Sequence, residues 1–148
     1  MDVQFDLKGF DQLKRQLRRM DSRTSTKFAK MATRKASKIL LDDMKQRVPK
    51  RTGNLRRSLG LVNVRRSTPG AWLKVGARSG KRLKYDGWYA HLVEFPTRAH
   101  SIKRKSGANI DHPGTKRQPF MRPAVDAKGK KVINHIGREL GALIEKFY

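Results

Sequence analysis

The residues Phe28, Met31, Ala32, Ala36, Ile39, Leu40 and Met44 recur at the three-and-four spacing of one helical face. That stripe predicts a long amphipathic helix from about Thr24 to Arg47, because residues three or four apart stack on one side of an α-helix. Pro49 sets its end, since a proline pushes the residue before it out of the helical region. The remaining segments must supply the cover for this one apolar face.

They do so on both sides. Residues 3–7, Val-Gln-Phe-Asp-Leu, alternate as a short strand does, and Gly9 interrupts them. Phe10, Leu13, Leu17 and Met20 then predict a first helix. After the turn Thr52-Gly53-Asn54, residues 58–66 carry Leu59, Leu61, Val62 and Val64, and residues 71–77 carry Trp72, Leu73 and Val75. Ser67-Thr68-Pro69-Gly70 joins them by ordinary turn chemistry, so an antiparallel hairpin is expected. Residues 88–95 suit strand or helix, and periodicity does not decide between them. At the end, Pro123 is placed to start a helix whose stripe is Val132, Ile133, Ile136, Leu140, Leu143, Ile144 and Phe147. Gly137 and Gly141 on its other side read as exposed small residues. The sum is one α+β domain over residues 1–148, a small antiparallel sheet packed against the long helix and the C-terminal helix. Residues 96–118, rich in Pro, Gly and cations, read as a long basic loop.

Charge narrows the function. Thirty-six Lys and Arg stand against twelve Asp and Glu, a net +24, and no acid occurs between Asp43 and Asp86. A field this unbalanced repels itself, so a polyanion or an acidic partner subunit is expected to compensate it. There is no cysteine, hence no disulfide, thiolate nucleophile or cysteine zinc site. The start, Met1-Asp2-Val3-Gln4-Phe5-Asp6, resembles no secretory signal, and no run reaches a membrane span.

Catalytic chemistry finds little purchase. Gly76-Ala-Arg-Ser-Gly80-Lys81-Arg82 is one residue short of a phosphate-binding loop and ends in Arg instead of the magnesium-binding hydroxyl. His91 and Glu94, with Asp86 nearby, sketch a metal-dependent nuclease, but so few acids accompany them that Glu94 reads instead as a partner for local arginines. His100, His112 and His135 match no ligand spacing. The expectation is a chain that is no enzyme and needs no cofactor or metal. Zinc-finger, RNA-binding and basic-zipper patterns are equally missing, so any DNA contact would go to phosphates and be blind to sequence.

Three ordered blocks carry a resemblance. They are Val48-Pro49-Lys50-Arg51-Thr52-Gly53-Asn54-Leu55-Arg56-Arg57-Ser58, then Tyr89-Ala90-His91-Leu92-Val93-Glu94-Phe95 with Thr97, and Gln118-Pro119-Phe120-Met121-Arg122-Pro123-Ala124. In this order the chain resembles the neck or tail-completion proteins of long-tailed bacteriophages, also described as minor tail or head–tail joining proteins. One position departs: Pro96 stands where that family usually has Gly, which bars a positive φ and pushes Phe95 toward extended backbone. The resemblance implies a structural virion protein at the neck, assembled in the host bacterial cytoplasm. It implies a homo-oligomeric ring, hexamer or dodecamer, around genomic double-stranded DNA, touching the head connector and a tail terminator or tail-tube protein, with no membrane. Within the blocks, Pro49, Thr52, Gly53, Leu55, Tyr89, Ala90, Glu94, Phe95, Pro119, Phe120, Arg122 and Pro123 are then structural, with Tyr89, Val93, Phe95 and Phe120 in the core. Arg98, Lys103, Arg104, Lys105, Lys116 and Arg117 of the basic loop become the candidates for contact with DNA or a neighbouring protein. A sequence-nonspecific nucleic-acid-binding protein is the alternative that the charge alone allows.

Overall fold

The structure is a computed structural model and describes residues 10–63, 71–104, 107 and 109–147. The strand expected at residues 3–7, the Ser67–Gly70 turn, the last part of the strand expected over 58–66, and Lys105 lie outside the described residues.

Two long helices form the frame. Helix α1 (Phe10–Arg19) leads into Asp21, whose carboxylate accepts the N–H groups of Arg23 at 2.9 Å and Thr24 at 3.2 Å and so starts α2 (Ser22–Arg47). An acidic cap serves here because the first amides of a helix have no acceptor of their own. Val48, ahead of Pro49, is extended at φ −61° and ψ 135°, which ends α2 where the proline requires. The C-terminal helix α5 (Met121–Phe147) packs along α2 in the opposite direction: Phe28 clusters with Leu140 and Ile144, while near the other end Lys128 reaches Asp43 at 3.9 Å. Pro123 falls in the first turn of α5, where its missing N–H costs nothing.

The core has two centres along this helix pair. Phe28, Ala32, Leu140 and Ile144 form one, with Leu13, Leu17 and Met20 of the α1 region laid against it. Leu41, Met44, Val48, Leu55, Leu59, Ala90, Phe120 and Ala124 form the other. Above the second lies a one-turn helix α3 (Asn54–Ser58) followed by strands β1 (Leu59–Asn63) and β2 (Leu73–Ala77), antiparallel with Leu61 opposite Val75. The expected hairpin is therefore present, and Leu61, Val75 and Ala77 turn toward the core.

Several local expectations are corrected. Met31 is 48% exposed, while Leu41 and Ser37 are buried. Each residue advances about 100° around a helix, which places Met31 off the Phe28–Ala32–Ala36 line. The C-terminal half of α2 is covered on a wider face, by α5 together with β1 and β2, so burial there spreads past the simple stripe. Phe147 is exposed as well, although its ring lies 5.2 Å from that of Phe28. Residues 88–95 resolve as a single helical turn, α4 (Ala90–Glu94).

The segment 96–118 is not an irregular loop. It holds a second antiparallel pair, β3 (His100–Lys103) and β4 (Asn109–His112), so the described residues form two small sheets where one was expected. The strands are only four residues long, and alternation that short is hidden among cations. Cross-strand pairing shows it: Ile102 faces Ile110, His100 faces His112, and Ser101 bonds Asp111. At the base, Thr97 bridges Thr115, their hydroxyls 2.9 Å apart. Gly114 has φ 84° and no room for a side chain, since a Cβ would collide with the Thr97 carbonyl.

Candidate assembly and nucleic-acid interface

The three motif blocks meet at one joint beside the second core centre. Asn54, at the start of α3, donates through Nδ2 to the Asp86 carbonyl at 2.7 Å and to the Tyr89 hydroxyl at 3.2 Å, tying the first block to the second. Gly53 precedes it in the left-handed region, φ 73°, which lets the chain turn sharply after Thr52. Leu55 and Ala90 are buried there, Tyr89 and Val93 half-buried against them. The Gln118 N–H then reaches the Val93 carbonyl at 3.0 Å, tying the second block to the third. Phe120 is the most enclosed large side chain, 0% exposed, as expected of an anchor; Pro49, Pro119 and Pro123 are half-buried around the joint, and Arg122 and Thr52 reach solvent.

Glu94 holds this joint, but not by pairing with an arginine as its sequence suggests. It is 3% exposed, and its carboxylate accepts the amides of Phe120 at 2.8 Å, Met121 at 2.9 Å and Arg122 at 2.9 Å. A helix leaves the N–H groups of its cap and first three residues without acceptors. Here those residues are Phe120, Met121, Arg122 and Pro123; Glu94 serves the first three, and the fourth has no N–H to serve. Burial by itself would push Glu94 up. The hydrogen bonds from Met121, Arg122 and Phe120, helped by the charge of Arg117, outweigh it and hold the carboxyl below its ordinary value. Both oxygens are thus committed to backbone, and His91 points to the Trp88 carbonyl at 3.0 Å, so the two do not form the paired site that their spacing sketches. A signal for this role does exist: the helix after Phe120 begins without Ser, Thr, Asp or Asn at its cap, so its acceptor had to come from elsewhere.

Phe95 leaves the core. It is 60% exposed, because α4 ends there and Phe95 adopts φ −115°, ψ 143° ahead of Pro96. With Trp88, 61% exposed, and Ile102 and Ile110 of the hairpin, it adds to a set of large apolar side chains that stay substantially open to solvent in the single chain. Ile102 and Ile110 share one face with His100 and His112, whose rings lie 5.1 Å apart.

The basic candidates do not form one patch. Arg98 stands beside the hairpin base, and Lys116 and Arg117 follow its other strand out. Lys103 and Arg104 sit at the far end, where the Arg104 carbonyl accepts the Gly107 N–H in a turn. At about 3.3 Å per strand residue, base and tip are roughly 17 to 20 Å apart. All five are exposed.

With this geometry in view, comparison with known families is decisive. Residues 11–95 match a protein family described as "Bacteriophage HK97-gp10, putative tail-component". The chain belongs to the HK97-gp10-like family. The matched stretch contains the first motif block and the second as far as Phe95, where it ends; Thr97, the β3–β4 hairpin, the third block and α5 lie beyond it. Membership in the HK97-gp10-like family gives the chain a structural role in the virion, in contact with other virion proteins. Neither a curated protein nor a solved structure matches the chain. Among the described residues, no helix is long and apolar enough to cross a membrane.

Proposed function

We propose that this chain acts as one domain and as a structural subunit of the phage head–tail connector, forming a homo-oligomeric ring around the DNA channel and completing the neck between head and tail. The observation that carries the reading is the coexistence, on one small body, of uncompensated positive charge and large apolar side chains exposed to solvent. Asp43 already answers Arg47 and Lys128, Glu139 answers Lys35, and the chain still carries a net +24. Genomic double-stranded DNA in the lumen supplies the missing negative charge. Neighbouring subunits, the head connector and a tail terminator or tail-tube protein cover the apolar residues of the hairpin and the Trp88 surface. The hairpin, projecting from a base tied by the Thr97–Thr115 hydrogen bonds, suits contact with a protein more than with phosphate, because phosphates make no use of Ile102 and Ile110. No step of this role is catalytic, and it needs no cofactor.

Measuring the mass of the full-length chain in solution, with and without duplex DNA, tests the reading. The expected result is a closed hexamer or dodecamer in either condition. Monomers that coat DNA in proportion to its length would replace the ring with a sequence-nonspecific nucleic-acid-binding protein.

A further inference from the structure

A concavity of about 330 Å³ opens where the end of α2 meets α3, and it is lined by Lys45, Lys50, Gly53, Arg56 and Arg57 alone. No apolar side chain and no carboxylate takes part. Arg56 donates through Nε to the Lys45 carbonyl at 3.1 Å, and Arg57 lies 5.1 Å from the centre of the Tyr85 ring. Both interactions fix a guanidinium in place without neutralising it. Among the described residues none of the four cations is paired with a carboxylate: Asp43 is taken by Arg47 and Lys128, and Asp86 turns an oxygen to the Trp88 N–H. Four like charges around one hollow repel each other unless an anion sits among them.

We infer that this hollow is a phosphodiester-binding site, the place where the subunit grips the DNA backbone, rather than the hairpin. The inference rests on the DNA-channel reading above and assigns the residues that touch the DNA. A lining without an apolar residue, whose carbon is only the stems of its cations and Gly53, favours phosphate over an acidic protein, whose interface would also seat apolar side chains.

The test is the salt dependence of duplex DNA binding by the full-length protein. Lys45→Gln with Lys50→Gln removes two side-chain charges that hold no ion pair or hydrogen bond in the described structure, so folding is spared. The control is Lys27→Gln with Lys30→Gln, an equal charge change on residues of the same helix, about 22 Å or more from Lys45 at 1.5 Å per residue. The slope of log affinity against log salt should flatten by about 0.9 for each phosphate that the first variant no longer neutralises, and stay near the wild-type value in the second. Adding Arg56→Gln and Arg57→Gln should flatten it further. Equal slopes for the two double variants would overturn the site while leaving the channel reading intact. A wild-type protein that does not bind DNA at all would overturn both.

Discussion

The joint at Glu94 and the hairpin at residues 97–115 are neighbours in sequence and opposites in construction. At the joint the polar side chains find their partners inside the molecule: Glu94 serves three amides, Ser58 donates to the Leu55 carbonyl at 2.7 Å, and Asn54 spans two segments. Along the hairpin, every residue of β3 and all but His112 of β4 are exposed, including two isoleucines that would normally seek a core. The contrast separates what holds the subunit together from what it offers to others. Motif residues gathered at the joint explain the fold; the protruding segment and the uncompensated cations explain an assembly role.

Substitutions can break or sharpen that contrast. Phe120→Ala has the largest expected effect, about 3 to 5 kcal/mol, because it empties a fully enclosed site between α5 and the sheet. Denaturant unfolding measures it, and an unchanged midpoint would move Phe120 from the joint to an interface.

Glu94→Gln comes next, at about 1.5 to 3 kcal/mol near neutral pH, since hydrogen bonds to a charged group are the stronger kind and glutamine keeps only one acceptor oxygen. The pH dependence has a definite sign. The folded carboxyl titrates below its unfolded value, so its contribution is complete above the unfolded value and disappears as pH falls through the folded one. Melting temperatures of wild type and variant should therefore differ at pH 7 and converge in acid. A gap that persists unchanged at low pH would show that the charge of Glu94 does no stabilising.

The smallest effect on stability belongs to the hairpin. Ile102→Ser with Ile110→Ser should cost the free subunit no more than about 1 kcal/mol, the contribution of one cross-strand pair on a largely exposed face. The same variant should lower the yield of joined particles. A loss well beyond that, on the scale of a buried residue, would mean that the isoleucines serve the core of their own chain and not a partner.

Much of this fold was legible in the residues. The long helix, its stop at Pro49, the β1–β2 hairpin and the C-terminal helix all follow from spacing and turn chemistry that act locally. What escaped depends on residues far apart in the chain. Glu94 and the Phe120 amide are separated by 26 positions, and only folding brings the carboxylate to the helix start. Phe95 looks like core by its type, yet the end of α4 and the Pro96 backbone turn it outward. The β3–β4 pair rests on cross-strand partners within a segment whose composition suggests a loop, so charge masked the alternation. The hollow at Lys45, Lys50, Arg56 and Arg57 joins two elements around the Thr52-Gly53-Asn54 turn; the sequence shows its charges but not their convergence.

Removing the hairpin tests the division between joint and projection most directly. Because Thr97 and Thr115 are already bridged, residues 98–114 can be replaced by a short glycine linker without moving the segments that lead to the core. Introduced into the phage, this variant should give a subunit that melts as the wild type does, while unjoined heads and tails accumulate and infectious particles disappear. Normal yields of joined, infectious particles would contradict the account, because the hairpin proposed to face a partner would then have none.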